Sequence, residues 1–290
     1  MRSLLFVPAL DARKLEKSLT SGADVLIADL EDSVAPDAKE AARAVVVEFL
    51  EAHAGRGDRP RLHVRINGFD TPHADRDIDA AVAAGAEGLM LPKAAGGMDV
   101  TRLDAKIAVA EAVHDIPDGR TRIVAIVTET AHAVFQTGTY RGASHRLSGM
   151  AWGAEDLSAD LGAAVARDAD GRFFDTFRLA RTLTLLGAVA AEVTPIDGVY
   201  TDFRDLDGLR LECEAAARDG FTAKMAIHPA QVAVINAAFT PSEDAIAEAH
   251  RVVEAFRAAG DPGVVGLDGK MLDRPHLIRA KRLLARAGVA

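Results

Sequence analysis

A chain of 290 residues with a formal charge of −9 is long enough for one large domain or two small ones. Its hydrophobic share is 49% but its aromatic share only 5%, so the core must come from Ala, Val, Leu and Ile. No basic stripe offsets the acidic balance, which argues against nucleic acid or an anionic membrane surface as partner, and no stretch nears the roughly 20 apolar residues that cross a bilayer.

In chain order, apolar β-type runs are predicted at Leu4–Pro8, Val25–Leu30, Leu62–Ile66, Gly88–Pro92, Ile123–Thr128, Leu147–Trp152, Ala191–Thr194 and Ala223–Ile227. Their lengths and lack of strict alternation suit parallel strands covered on both faces. Amphipathic, Ala-rich segments lie between them, as at Ala38–Ala52, Ala74–Ala84 and Thr101–Ala112, with Asp37 and Asp75 as candidate caps. The polar residues that end the runs, Asp29, Arg65, Lys93, Glu129 and Asp156, stand 36, 28, 36 and 27 residues apart. Eight units of roughly 30 residues predict an α/β fold, a (β/α)₈ TIM barrel, rather than a doubly wound open sheet. In such a barrel the residues just past the strand ends share one face, so these endings should converge.

The rhythm changes after residue 235. Pro241 opens and Gly260 closes a helix over Ser242–Ala259, GDPGVVGLDGKMLDRPH reads as a Gly-rich loop, and a basic helix runs from about Pro275. The division expected is a catalytic barrel over 1–235 and a C-terminal helical extension over 236–290, acting as a lid or oligomer contact. Cys213 is the sole cysteine, which excludes an internal disulfide and a zinc cluster and points to the cytoplasm; MRSLLFVPAL is too short for a signal peptide.

Two acidic endings carry the chemistry. Glu129 (in IVAIVTET) and Asp156 (in WGAED) follow successive strands and can share one hard cation, with most positions of a Mg²⁺ ion left to water and substrate. Of the adjacent pair, Asp156 rather than Glu155 is assigned to the ion. Arg65 can grip a carboxylate or thioester oxygen through paired hydrogen bonds, or pair structurally with Asp29 or Glu31. Of the acids in DLED, one orients Arg65 or a metal-bound water and one caps a helix. Lys93 binds an anion, faces solvent or forms a Schiff base. His228 reads as structural, and Arg13, Lys14 and Lys17 form either a phosphate-binding face or a solvated one. The glycines match neither a Walker loop nor a dinucleotide fingerprint.

RSLLFVPA, IADLEDSVAPDAKEAAR, VRINGFDTP, LPKA, VTET, WGAEDLSADLG, AIHPAQ and GKMLDRP occur in this order from residue 2 to about 280. This set resembles the citrate lyase β-subunit family, which belongs with the malyl-CoA lyases in the HpcH/HpaI aldolase superfamily. The resemblance implies a barrel, Mg²⁺, a CoA-type thioester substrate and carbon–carbon cleavage or its reverse. It implies that Glu129 and Asp156 bind the metal and Arg65 the substrate, that Lys17 lies near CoA phosphates, and that Phe6–Val7 line the CoA channel. It also implies that Asp273 is a catalytic acid delivered by the C-terminal lid to a neighbouring subunit, in a homotrimer or homohexamer. Two positions depart from the pattern: Ala9 replaces a glycine, and Asp11 stands where malyl-CoA lyases carry an arginine, with Arg13 close by.

The reaction expected is cleavage of a 3-hydroxyacyl thioester, carried on CoA or an acyl carrier protein, into an acyl thioester and a 2-oxo acid. Arg65, Asp273 and Asp29 are the expected catalytic residues, and Arg65, Glu129, Lys17, Phe6 and Val7 the substrate-binding ones. Rival readings are a thioesterase or synthase with the same enolate chemistry, a subunit active only within a citrate lyase assembly, and a Schiff-base aldolase using Lys93.

Overall fold

Apolar runs such as VLIA and LLFV leave no polar face to turn towards water, so these segments can be strands only where both faces are covered. The computed structural model, which describes residues 1–289, satisfies this by closing eight parallel strands on themselves. The chain runs β1 (Ser3–Pro8), α1 (Ala12–Ser18), β2 (Val25–Asp29), α2 (Lys39–Ala52), β3 (Arg61–Arg65), α3 (Ala74–Ala83), β4 (Gly88–Leu91) and α4 (Gly97–Val113). It continues through β5 (Arg122–Ile126), α5 (Ala131–Val134), β6 (Leu147–Ala151), α6 (Ala154–Leu161), α7 (Asp175–Ala190), β7 (Thr194–Asp197), α8 (Leu206–Asp219), β8 (Ala223–Ala226) and α9 (Pro229–Phe239). Each strand pairs with the next, and β8 pairs back to β1, so the sheet has no edge.

Inside the barrel, Leu4, Val25, Ile27, Met90, Val124, Ile126, Ile196 and Met225 form one dry cluster. Each such side chain contributes roughly 1.5–3 kcal/mol by leaving water. Outside, α2 buries Ala42, Val46, Phe49 and Leu50, the spacing of a helical stripe. Register positions the chemistry. Asp29 is the residue paired with Arg65 in the β2–β3 ladder, so the last residues of these two strands stand side by side at the C-terminal mouth.

The chain divides into two compact units, Met1–Asn236 and Ala237–Ala290. The second comprises α10 (Glu243–Ala258), a hairpin of β9 (Val264–Leu267) and β10 (Lys270–Asp273), and α11 (Arg274–Ala287). It has its own core of Val252, Phe256, Val265, Leu277 and Leu284. Ser242 caps α10 by accepting from the Ala245 N–H.

Three expectations need correction. The seventh strand occupies Thr194–Asp197, not Ala191–Thr194. Ala191 caps α7 and Glu192 takes a positive φ of 60°, so the strand starts later and runs through Pro195, a residue that interrupts the run of β-formers in the sequence. The segment read as a Gly-rich loop is the β9–β10 hairpin, turned by Asp268-Gly269 with positive φ at both residues, the signature of a two-residue primed turn. Asp37 and Asp75 do not cap: Ala38 and His73 hold those positions without side-chain bonds.

His63, buried on β3, lies against the bare backbone of Gly88 at the start of β4, where a Cβ would come within 2.7 Å of the imidazole. Gly88→Ala is therefore expected to cost about 1–3 kcal/mol of unfolding free energy. In denaturant titrations the same change made in a His63→Ala background should cost markedly less; equal costs would show that the ring is not the obstacle.

Candidate active site

Arg65 is buried at the mouth and wrapped by the loop after β2. Asp29 takes two parallel hydrogen bonds, from Nε at 2.7 Å and from Nη2 at 2.8 Å. The same Asp29 carboxylate accepts the backbone N–H groups of Glu31 (3.0 Å) and Ser33 (3.2 Å), so it folds its own loop around the guanidinium. Nη1 faces Glu31 at 2.9 Å and Asp32 at 3.2 Å, and the Phe6 ring lies 4.8 Å beneath the guanidinium carbon. The hydrogen left for a ligand is the outer one on Nη2. Burial works against charge here, yet Asp29, Glu31 and Asp32 hold Arg65 above its ordinary value, and Arg65 holds Asp29 below the usual carboxylate range despite its burial. Of the two sequence readings of Arg65, the structural pairing with Asp29 is present, and it fixes the direction of the fork.

Buried Lys39, on the first turn of α2, closes the DLED loop from below. Its ammonium donates to the carbonyls of Leu30 (2.8 Å) and Glu31 (2.7 Å). Glu31 is pushed up by burial, against the pull of Arg65 and Lys93. Its Oε2 approaches Arg65 closely but receives no directed hydrogen bond, which leaves a buried polar oxygen unsatisfied.

Glu129 lies three residues beyond β5 and is almost wholly buried. Burial first, and then the charges of Asp156 and Glu31, push its carboxyl up to about 8; the backbone N–H of Lys93, which donates to Oε2, offsets this only in part. Asp156 sits not at a strand end but in the first turn of α6. Gly153 joins the two: a Cβ there would lie 2.8 Å from Cγ of Glu129, so only glycine lets that side chain cross the loop leading to Asp156. The Ala131 N–H donates to Asp160 at 2.7 Å and ties α5 to α6.

A cavity of about 410 Å³ gathers Phe6, Asp29, Asp32, Arg65, Glu129, Trp152, Glu155 and Asp156, with Ile126, Val199 and Met225 supplying an apolar side. Five carboxylates line it against one guanidinium, an imbalance that repels an anionic substrate unless a cation resides there. A carboxylate pair in which burial and like charge raise one carboxyl to about 8, beside an unsatisfied carboxylate oxygen, fits a hard divalent cation with oxygen ligands. Among the described residues no three acidic, His or Cys side chains gather into a metal cluster, and Glu129 and Asp156 are the acids that stand together here.

Val7 and Lys17 do not line this cavity. Val7 alternates to the opposite face of β1 from Phe6 and is buried outside the inner cluster. Lys17, on α1, lines a separate surface recess with Arg13, Glu16 and Thr20. Asp11 caps α1 by accepting the Lys14 N–H at 3.0 Å. Asp273, half exposed in the second unit, ends β10, caps α11 and pairs with His276 at 2.5 Å. Lys93 holds its ammonium well above the ordinary value, against burial, through Glu31, Asp156 and Asp32, so it is not the free amine that a Schiff base requires.

Sequence reasoning missed one support. Trp152, which lines the cavity, donates its indole N–H to Asp197 at 2.7 Å. Fully buried Asp197 also takes Arg181 (2.9 Å) and Lys224 (3.0 Å), which together hold its carboxyl far below the usual range despite burial. The signal is an acid ending a β run, which a seventh strand placed at Ala191–Thr194 leaves outside the strand.

A family profile described as HpcH/HpaI aldolase/citrate lyase matches residues 2–229. A (3S)-malyl-CoA thioesterase of Cereibacter sphaeroides is 38% identical, over 99% of this chain and 94% of the relative. Citrate lyase subunit beta of Leuconostoc mesenteroides subsp. cremoris is 34% identical, over 99% and 93%. The crystal structure of protein CitE from Mycobacterium tuberculosis in complex with magnesium, acetoacetate and coenzyme A superposes with a TM-score of 0.79 at 35% identity, covering 99% of this chain and 98% of that one.

Because the folded Glu129 carboxyl binds its proton more tightly than the unfolded one, its contribution to stability is complete below about 4.5 and is lost as pH rises through about 8. Denaturant titrations in chelator should show stability falling across that window by up to about 1.4 kcal/mol per pH unit from this group. Glu129→Gln should flatten the fall; an unchanged slope would place the titration elsewhere.

Proposed function

This chain belongs to the HpcH/HpaI aldolase/citrate lyase family, and from that premise we propose that it is a Mg²⁺-dependent carbon–carbon lyase. Its substrate is a 3-hydroxyacyl thioester of the malyl, citramalyl or citryl type, which it cleaves to an acyl thioester and a 2-oxo acid, or forms in reverse. The observation that carries this reading is the meeting, in one cavity, of an aimed guanidinium and a carboxylate pair that cannot comfortably stay ion-free.

Glu129 and Asp156 would hold the ion, which would supply Lewis-acid chemistry at the substrate hydroxyl. In the cleavage direction the hydroxyl gives its proton to solvent water and its carbon becomes a carbonyl. The electrons of the broken carbon–carbon bond pass to the thioester side as an enolate. Arg65 presents its outer Nη2 hydrogen to that oxygen, where the negative charge gathers, and Asp29 keeps the guanidinium from turning. The enolate carbon then takes a proton, for which we assign Asp273 of a neighbouring copy in a homotrimer or homohexamer. Phe6, Ile126, Trp152, Val199 and Met225 keep water from the enolate. Lys17 in its recess and the Phe6–Val7 segment are assigned to the thioester carrier, CoA or an acyl carrier protein, and the site of action to the cytoplasm.

A second reading, thioester hydrolysis, is favoured by the 38% identity to a malyl-CoA thioesterase. Water adding at the thioester carbonyl of the intact 3-hydroxyacyl substrate breaks the carbon–sulfur bond and releases the free hydroxy acid and CoA, with no carbon–carbon bond broken. Product analysis separates the two.

Purified chain with Mg²⁺ should turn over at least one of the malyl-, citramalyl- and citryl-thioesters without other subunits. Asp156→Ala should abolish turnover together with its metal dependence, and activity that survives in chelator would reject the cation. Arg65→Lys, which loses the fork, should lower kcat by about 100-fold or more while the fold is kept. Asp273→Ala that still cleaves at the full rate would remove the assigned acid.

A further inference from the structure

Among the described residues, Lys93 is the one whose hydrogen bond and ion pair reach both carboxylates assigned to the cation. Its backbone N–H donates to Glu129, and its ammonium stands 3.6 Å from Asp156 Oδ1. The same ammonium lies 2.6 Å from Glu31 Oε1 and 3.8 Å from Asp32. To make these contacts together the backbone adopts a φ of +50°, a left-handed conformation that a side chain as long as lysine seldom takes. A residue held this way, in a loop that brings together acids from three parts of the chain, has a position that local structure alone does not explain.

We propose that Lys93 is a built-in counter-cation that competes with the divalent ion for Asp156, and that Glu31 is the acceptor onto which its ammonium withdraws when the ion binds. This inference rests on the assignment of Glu129 and Asp156 to the cation. An ammonium and a divalent ion drawn to one carboxylate repel each other strongly where water is scarce. The flexible four-carbon stem of lysine allows retreat, whereas Glu31 is held by its contact with Arg65 and by Lys39 on its carbonyl. Oε1 of Glu31, already the nearer partner, then carries the whole charge. The ion-free site is thereby kept partly neutralised, and cation affinity is set lower than the bare carboxylates would give.

Mn²⁺ binding, measured by calorimetry or by the loss of free-ion EPR signal at constant pH, tests this without any turnover. Wild type should bind and Asp156→Ala should not, which fixes the site. Lys93→Met should then bind Mn²⁺ about tenfold more tightly, Lys93→Gln should do the same by a polar route, and Lys93→Arg should stay close to wild type. Glu31→Gln should weaken binding, and weaken it less in the Lys93→Met background. Equal or weaker binding by both uncharged variants overturns the counter-cation, and an equal effect of Glu31→Gln in the two backgrounds overturns Glu31 as its acceptor. If neither wild type nor Lys93→Met binds Mn²⁺, the cation reading falls and this inference with it.

Discussion

The two-pronged ion pair between Asp29 and Arg65 is the constraint around which the mouth of the barrel is arranged. It forms because parallel register sets the last residues of β2 and β3 next to each other, at the one end of the barrel where side chains can project from strands without entering the packed interior. Removing two charges from water is costly, and a single buried pair seldom repays it. Here the loop after β2 offsets that cost: two backbone N–H groups on Asp29 and an ammonium on two carbonyls turn the whole DLED segment into a mould for one guanidinium.

From that mould the charge balance of the cavity follows. With Arg65 occupied by three acids, little positive charge remains for Glu129 and Asp156. The chain supplies Lys93 as a partial remedy. The rest of the imbalance shows in Glu129, whose carboxyl is driven up to about 8. Unpaired negative charge beside a fixed guanidinium is what supports the proposed binding of a cation and then an anion. The wall is held with equal care: Asp197, itself fixed by Arg181 and Lys224, anchors Trp152 just before the glycine that lets Glu129 and the α6 loop meet.

Much of this was legible in the sequence because parallel strands announce themselves as uninterrupted apolar runs, and because the barrel repeat brings distant run-ends to one face. Asp29, Arg65, Glu129 and Asp156 could therefore be grouped with no contact known. What was not legible depended on local backbone geometry. Pro195 hides the start of β7 and with it Asp197, and the glycines around Asp268-Gly269 mask a DG pair that, between apolar residues, is a hairpin signal. The partner of Lys93 was out of reach for another reason. Glu31 and Lys93 lie 62 residues apart, and nothing in either segment states that the loop between Pro92 and Ala94 turns left-handed.

The central claim is that a fixed guanidinium faces a cation held by Glu129 and Asp156. A crystal structure grown with Mg²⁺ and oxaloacetate tests it most directly. The account expects the ion bonded to one oxygen of each carboxylate, the oxo acid on the ion, and Arg65 still double-bonded to Asp29 with its outer nitrogen turned to the ligand. An ion seated away from these two acids, or Arg65 swung off Asp29 to reach the ligand, would contradict it.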